Sequence, residues 1–112
     1  FTVTPPGDDA PVQPTSVRFA HAVRCLAAAA RAEGLRAPSF RSPPGVRGAT
    51  RTVRRWGDGR STVAVVVRER PWPAVLSDLV EGVVVANRLD GHAAIRARNA
   101  LWRALEDQEQ AA

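Results

Sequence analysis

Arginine side chains that could bind phosphate oxygens are concentrated in the middle of this 112-residue sequence. All sixteen basic residues are arginine, a bias typical of GC-rich bacterial genomes, so their placement is more informative than their number. Residues 36–70 contain nine arginines against only Asp58 and Glu69, whereas residues 1–35 and 71–112 together hold more acidic than basic side chains. The middle segment therefore supplies the whole formal net charge of +5. Because a guanidinium matches the oxygens of a phosphate or carboxylate, this placement predicts an acidic partner, either nucleic acid or an acidic protein.

The candidate polyanion site consists of six arginines that would contact phosphates and one tryptophan that would stack on a base. Its members are Arg47, Arg51, Arg54, Arg55, Arg60, Arg68 and Trp56. The competing interpretation of these residues is a solvated hairpin whose Trp56 packs in the core and whose arginines pair with the acidic C-terminal helices. The alternative function is a protein–protein interaction or homodimeric assembly module, in which the basic excess is incidental. The polyanion site is favoured if the structure places Arg51, Arg55 and Arg68 outward on one continuous patch. Pairing of these arginines with acids of the C-terminal helices would favour assembly; the acids concerned are Asp78, Glu81, Glu106 and Asp107.

A glycine-rich run next to this region has the spacing of a known nucleic-acid motif. Gly45-Val46-Arg47-Gly48 resembles the GXXG loop with which KH domains bind a nucleic-acid backbone. In KH domains that loop joins two adjacent helices, whereas only Ala49 separates this run from the first predicted strand. The sequence leaves no room for the second helix, so the motif does not assign the chain to a family.

Residues of catalytic or metal-binding type occur elsewhere in the chain, but their patterns favour structural roles. His21 and Cys25 are four residues apart on a predicted helix, where imidazole and thiolate could meet, yet no second cysteine or nearby histidine completes a ligand set. Asp78 and Glu81 share a helical turn, and His92 lies beyond them at no recognised catalytic spacing. We therefore expect no enzymatic activity, metal or cofactor. An enzyme would need these side chains to converge in one cleft.

Three helices are predicted from the spacing of apolar residues and from their end signals. The first begins after Thr15 or Ser16 and closes at Gly34, which tolerates the left-handed conformation of a helix cap. Its predicted inner face carries Phe19, Val23, Leu26 and Ala30. Pro71-Trp72-Pro73 opens the second helix, whose buried stripe is Leu76, Leu79, Val80 and Val83, with a strand over 83–86 as the alternative. The third runs from Gly91 to Glu106 after Asp90, and its predicted inward residues are Ala94, Ala97, Leu101 and Leu105.

Between the first two helices the sequence predicts a long irregular loop over 36–49, with Phe40 as its packing anchor, and then a β-hairpin. The strands span 50–56 and 61–68, and Asp58-Gly59 is a strong two-residue turn signal that would pair Trp56 with Ser61. The face toward the helices would then carry Thr52, Arg54, Trp56, Val63, Val65 and Val67. The opposite face would carry Arg51, Val53, Arg55, Thr62, Ala64, Val66 and Arg68.

The predicted fold is α+β: a helix, a long loop, a β-hairpin and two C-terminal helices packed on one face of a small antiparallel sheet. Residues 1–16 form a flexible proline-rich lead-in, 17–108 a single domain and 109–112 a frayed tail. A lone hairpin is marginally stable, so we expect its sheet to be completed, either by residues 1–4 or, preferably, by a second copy in a homodimer. No segment has a membrane-spanning or targeting pattern, and with one cysteine we expect a cytoplasmic protein.

Overall fold

The computed structural model describes residues 15–43 and 49–111, and in this part of the chain three short strands follow the first of three helices. The elements are α1 (Thr15–Ala32), β1 (Ser39–Arg41), β2 (Arg51–Arg55), β3 (Ser61–Val65), α2 (Trp72–Ala86) and α3 (Gly91–Ala111). The predicted α+β class is confirmed, with an N-terminal helix, a three-stranded sheet and two C-terminal helices packed against it. Residues 1–4 and the run at 45–48, which includes Arg47, lie outside the described residues. No helix in the described part has the length and apolar composition needed to cross a bilayer.

The sheet is mixed instead of purely antiparallel, because it contains a strand that the sequence predicted as loop. Its order is β1-β3-β2, with β1 parallel to β3 and β2 antiparallel to it. Phe40, predicted as a loop anchor, is the central residue of β1; it pairs with Val63 and packs on the hydrophobic core. One edge of the hairpin is thus covered by residues of the same domain, without residues 1–4 or a second copy. The predicted homodimer loses that part of its argument and stays a prediction.

The hairpin itself is confirmed, but its register differs from the prediction by one residue. Trp56 lies opposite Arg60 instead of Ser61, and its backbone N–H donates to the Arg60 carbonyl at 2.8 Å. The loop therefore contains three residues, 57–59, and ends on Gly59 at a φ of 86°. A left-handed glycine at this position is the usual feature of a three-residue hairpin loop. Gly57 before the Asp-Gly pair made the longer loop available.

A one-residue shift in pairing moves every side chain of one strand to the other face of the sheet. The prediction for β3 is confirmed, since Val63 and Val65 are fully buried beneath the helices. The prediction for β2 is wrong on both faces. The residues of β2 on the helix-covered face are Arg51, Val53 and Arg55, and those that continue along the other face are Thr52, Arg54 and Trp56.

The core lies between the sheet and the three helices. α2 contacts β2 and β3 directly, whereas α3 packs on α1 and α2 and adds Leu101 and Leu105 to the same apolar cluster. The four inward residues predicted for α3 are all buried. In α1 the buried residues are Ala22, Leu26 and Ala30, with Phe19 and Val23 packed at the margin of the core.

The helix ends follow the predicted signals in two cases and extend beyond them in the third. Gly34 has a φ of 76°, and Leu35 N–H donates to the Ala30 carbonyl at 2.8 Å, which closes α1 as predicted. α2 continues through Ala86, so the alternative strand over 83–86 is wrong. α3 was predicted to end at Glu106 but runs to Ala111, including part of the expected frayed tail at 109–112.

The extension of α3 is explained by a polar cluster around Glu109. Its Oε2 lies 3.3 Å from Nη2 of Arg18, and its Oε1 accepts a hydrogen bond from the Trp72 indole N–H at 2.9 Å. The Arg18 guanidinium also lies 4.5 Å from the centre of the Trp72 ring. These three contacts join the beginnings of α1 and α2 to the end of α3.

Candidate functional site

The structure separates the residues predicted to form one polyanion site. Arg51 and Arg55 lie on the helix-covered face of β2, whereas Arg54 and Trp56 lie on the other face. Arg60 flanks the hairpin loop. Arg68 is exposed in the turn between β3 and α2, and Arg47 lies outside the described residues. The six described members of this set therefore lie on different sides of the hairpin.

Arg51 anchors β2 to α2 through an acidic residue. Its Nη1 lies 3.5 Å from Oδ1 of Asp78, whose other oxygen is 2.6 Å from Nη2 of Arg70. Arg70 also donates to the Val66 carbonyl at 2.7 Å. Only 15% of the Asp78 side chain is exposed, so the two guanidinium groups compensate a largely buried carboxylate. This is the pairing that the competing interpretation required of Arg51, and it removes this arginine from the polyanion site.

Arg55 also has a structural contact. Its Nη1 donates to the carbonyl of Val85 at 3.0 Å, in the last turn of α2. Carbonyls at a helix C-terminus lack partners within the helix and carry partial negative charge, so a guanidinium there is stabilising. Arg55 is exposed, but its charged group is directed to the helix end and not to the far side of the sheet.

The far side of the sheet, which we name the open face, has no helix over it in the described structure. Strand register places seven residues on it: Ser39, Arg41, Thr52, Arg54, Trp56, Thr62 and Ala64. None of these residues is acidic. The open face therefore combines a positive charge with hydroxyl groups and one aromatic ring on a surface formed by three strands.

Trp56 supplies the aromatic ring of this face, and 42% of the residue is accessible to solvent. Its indole N–H donates to Oγ1 of Thr62 at 3.1 Å, which fixes the ring against β3. The Arg54 guanidinium lies 4.0 Å from the ring centre, a cation–π geometry. The competing interpretation of Trp56 as a core residue is wrong, because the ring packs on polar groups at the surface.

The hairpin loop adds a partly compensated charge beside Trp56. The backbone N–H of Arg60 donates to Oδ1 of Asp58 at 3.1 Å, and Nε of Arg60 lies 2.5 Å from Oδ2 of the same carboxylate. The backbone N–H of Arg60, and then its guanidinium, hold the pKa of the Asp58 carboxyl below its ordinary value. The Arg60 side chain is still 79% exposed, so its terminal N–H groups face solvent.

Two adjoining grooves lie where the open face meets the hairpin loop. The tip pocket, about 210 Å³ in volume, is lined by Ser39, Trp56, Arg60, Ser61 and Thr62. The arginine groove, about 420 Å³ in volume, lies next to it and contains Arg31 and Arg36 as well as Arg60. Sequence reasoning missed both new arginines, since Arg31 lies in the first predicted helix, outside the inner face assigned to it, and Arg36 was assigned to the irregular loop.

Arg41 was also missed, because the sequence analysis assigned residues 36–49 to an irregular loop. The signal that could have found it is the polar-apolar-polar alternation of Ser39-Phe40-Arg41, which is the pattern of a half-buried strand. Three residues are too few for that pattern to stand out among the surrounding prolines and glycines.

Of the residues considered for catalysis, Cys25, Asp78 and Glu81 take part in separate structural contacts. Cys25 donates its thiol to the Ala104 carbonyl at 3.2 Å, and burial, followed by the charge of Asp107, raises its pKa. Glu81 forms a bidentate ion pair with Arg98 that joins α2 to α3. Nε of Arg98 donates to Oε2 at 2.7 Å, and Nη2 donates to Oε1 at 3.0 Å. His92 is exposed on α3. Among the described residues, no three histidine, cysteine or acidic side chains are placed to hold a metal ion.

Comparison with known proteins adds no further evidence on function. The sequence matches no protein-family model, and searches of curated proteins and of solved structures found no similar protein. The functional argument for this chain therefore rests on the chemistry of the open face and of the two grooves beside it.

Proposed function

We propose that this protein is a non-enzymatic binding protein that holds single-stranded nucleic acid on the open face. The observation that carries the proposal is the solvent-exposed Arg54–Trp56 pair on a sheet face without acidic residues. Proteins that bind single strands present aromatic rings on which unpaired bases stack, next to basic side chains that follow the phosphates.

The geometry favours a single strand over a duplex. Trp56 lines the tip pocket, so a base that enters this pocket contacts the indole directly. Bases within a duplex are stacked on each other and do not offer a free ring face. The hydroxyl groups of Ser39, Ser61 and Thr62 surround the same pocket and can donate to or accept from base edges.

The phosphate contacts in this proposal come from a different set of arginines than the sequence predicted. Arg41 and Arg54 lie on the open face on the two outer strands, on either side of β3, and Arg60 lies at the hairpin end of this face. Arg51 and Arg55 are excluded by their contacts with α2. Each phosphate neutralised by a cation on a single strand should contribute about −0.7 to the slope of log affinity against log salt concentration.

The test is an anisotropy titration of a fluorescently labelled oligothymidylate and of a duplex of equal length, each at low and high salt. We expect Trp56→Ala to weaken binding of the single strand by roughly 5- to 150-fold, which corresponds to the ~1–3 kcal/mol of one stacked base. The double change Arg41→Ala and Arg54→Ala should weaken binding and reduce the salt dependence. A matched double change of Arg96 and Arg103 to alanine, on the exposed side of α3, removes the same charge elsewhere and should leave binding unchanged. Absence of binding by the unaltered protein at low salt would reject the proposal.

The second candidate is a homodimeric assembly module, favoured by the exposed Trp56 and by the position of β2 at the edge of the sheet. An edge strand has unpaired backbone groups that can pair with a second copy. Sedimentation at several concentrations tests this reading. The Val53 N–H faces the open edge of β2, whereas the neighbouring Thr52 N–H faces β3. A dimer that Val53→Pro dissociates, in a protein that binds no nucleic acid, would favour assembly.

For either function the compartment we propose is the cytoplasm, because the free thiol of Cys25 would stay reduced there.

A further inference from the structure

We infer that the arginine groove is a phosphate subsite that works together with a base position at Trp56, so that the two grooves accept one nucleotide unit. The inference rests on the proposed function, since it takes the ligand of the open face to be a nucleotide chain. It adds the location of the phosphate and two residues, Arg31 and Arg36, that lie off the sheet. The phosphate could belong either to a nucleic-acid strand or to a free nucleotide.

Continuity of the two grooves is the first observation. The tip pocket and the arginine groove share Ser39, Arg60 and Ser61 in their linings, so a ligand can extend from one into the other. The pocket next to Trp56 is the smaller of the two, at about 210 Å³ against about 420 Å³. A base against the indole would therefore place the attached sugar and phosphate toward Arg60 and the larger groove.

Charge is the second observation. The lining of the arginine groove contains three arginines, Arg31, Arg36 and Arg60, and no acidic residue. Asp58 lies outside this lining; its carboxylate contacts Nε of Arg60 and compensates part of the positive charge of Arg60. Arg31 is exposed at the end of α1, and the side chain of Arg36 uses Nη1 for a contact with the protein. N–H donors of all three guanidinium groups thus remain for a phosphate.

Fixed geometry is the third observation. Arg36 Nη1 donates to the Gly59 carbonyl at 2.8 Å, which holds its guanidinium beside the hairpin loop. The backbone of Arg36 is held by Asn87, which accepts from its N–H at 2.9 Å and donates to its carbonyl at 3.0 Å. Gly59 has no side chain where the guanidinium approaches; a Cβ there would collide with it. A donor fixed before binding loses less conformational freedom when it meets its ligand.

The experiment compares salt dependence in three variants of the full chain with labelled oligothymidylate. Arg31→Ala with Arg36→Ala should lower affinity at least tenfold and reduce the slope of log affinity against log salt by about 0.7, the effect of one phosphate. Trp56→Ala should lower affinity and leave the slope unchanged, because stacking involves no counterion release. The α3 control, Arg96→Ala with Arg103→Ala, should change neither quantity. A groove variant that binds like this control overturns the inference.

Two further measurements keep the test decisive. If the loss of the Arg36 contact unfolds the protein, judged by circular dichroism, Arg31→Glu replaces the double variant, because Arg31 is exposed at a helix end. NMR titrations with thymidine, thymidine 5′-monophosphate and inorganic phosphate then follow the arginine Nε–H signals. Shifts of Arg31 and Arg36 with the monophosphate but not with thymidine support the subsite and identify a free nucleotide as sufficient. If the oligonucleotide gives these shifts and the monophosphate does not, the phosphate belongs to a strand.

Failure of the subsite and failure of the proposed function can be told apart. A protein that binds no oligonucleotide but shows the monophosphate shifts retains the subsite and loses the proposed function. A protein that binds oligonucleotide with unaltered affinity in the groove variant retains the proposed function and loses the subsite. When the protein binds no oligonucleotide and neither ligand moves the arginine signals at millimolar concentration, both are rejected.

Discussion

Replacing Gly82 by alanine tests how closely α2 must approach the sheet that carries the open face. A Cβ built on Gly82 would lie 2.5 Å from Cγ1 and 3.2 Å from Cγ2 of Val63, which is fully buried on the central strand. Overpacking of this kind costs about 1–3 kcal/mol. In an exposed helix the same substitution would stabilise by about 1 kcal/mol, because glycine is a poor helix former.

Overpacking lowers the free energy of unfolding and the better helix propensity of alanine raises it. The sign of the measured change therefore shows which of the two effects is larger. We expect Gly82→Ala to lower the free energy of unfolding by about 1–2 kcal/mol and the melting temperature by about 4 °C or more. Urea denaturation followed by circular dichroism gives the first quantity. Ser77→Ala, on the exposed side of the same helix, serves as the control and should be close to neutral.

A double-mutant cycle identifies the contact responsible. Val63→Ala makes room for the new methyl group. The double variant should therefore lose about 1 kcal/mol less free energy of unfolding than the two single variants lose in total. If Gly82→Ala is as stable as the unaltered protein, or more stable, the close approach of α2 to β3 is wrong. The positions of β3 and of the open face would then need revision as well.

Three other predictions follow from contacts outside the open face. Asp78→Asn leaves two guanidinium groups without their partly buried carboxylate and should destabilise by about 2–4 kcal/mol in urea denaturation; a loss below about 0.5 kcal/mol would contradict the ion-pair geometry. Cys25 should react slowly with iodoacetamide at neutral pH, because its raised pKa leaves little thiolate. The buried thiol of Cys25 should contribute to stability below its ordinary pKa of 9.0, and this contribution should decrease as the pH rises above 9.0. Alkylation of the folded protein as fast as of urea-unfolded protein would argue against this environment. Arg88→Gly should stabilise by about 0.5–1 kcal/mol, because Arg88 has a φ of 54° at the end of α2, whereas Gly34→Ala should destabilise by a similar amount; equal melting temperatures for all three proteins would refute this.

The helices could be predicted because their signals are local and repeated. Apolar spacing identified the buried residues of α3 in full, and Gly34 marked the end of α1. The end of α3 could not be predicted, because it depends on the contact of Glu109 with Arg18 and Trp72, which are distant in sequence. β1 was missed for the same reason, since a three-residue strand is stabilised by its neighbour β3 and not by its own sequence.

The candidate site was predicted less well than the fold because it depends on strand register. The Asp58-Gly59 pair fits a two-residue turn, and Gly57 beside it also permits a three-residue loop, so local signals do not decide between the two. That single residue exchanges the faces of β2 and brings Trp56 to the surface. The type of chemistry, arginine with tryptophan, could still be inferred from composition, whereas the residues that share one surface required the pairing of strands.

The alternation along β2 also determines which substitutions can test binding. Arg51 and Arg55 hold the strand against α2, while Arg54 lies between them on the open face. A variant that changes all three together would remove two structural contacts along with one candidate binding group. Loss of binding in that variant would not separate unfolding from a lost phosphate contact. Arg54→Ala alone should instead reduce binding without a large loss of stability, whereas Arg51→Ala should do the reverse, because Asp78 would be left with one of its two partners.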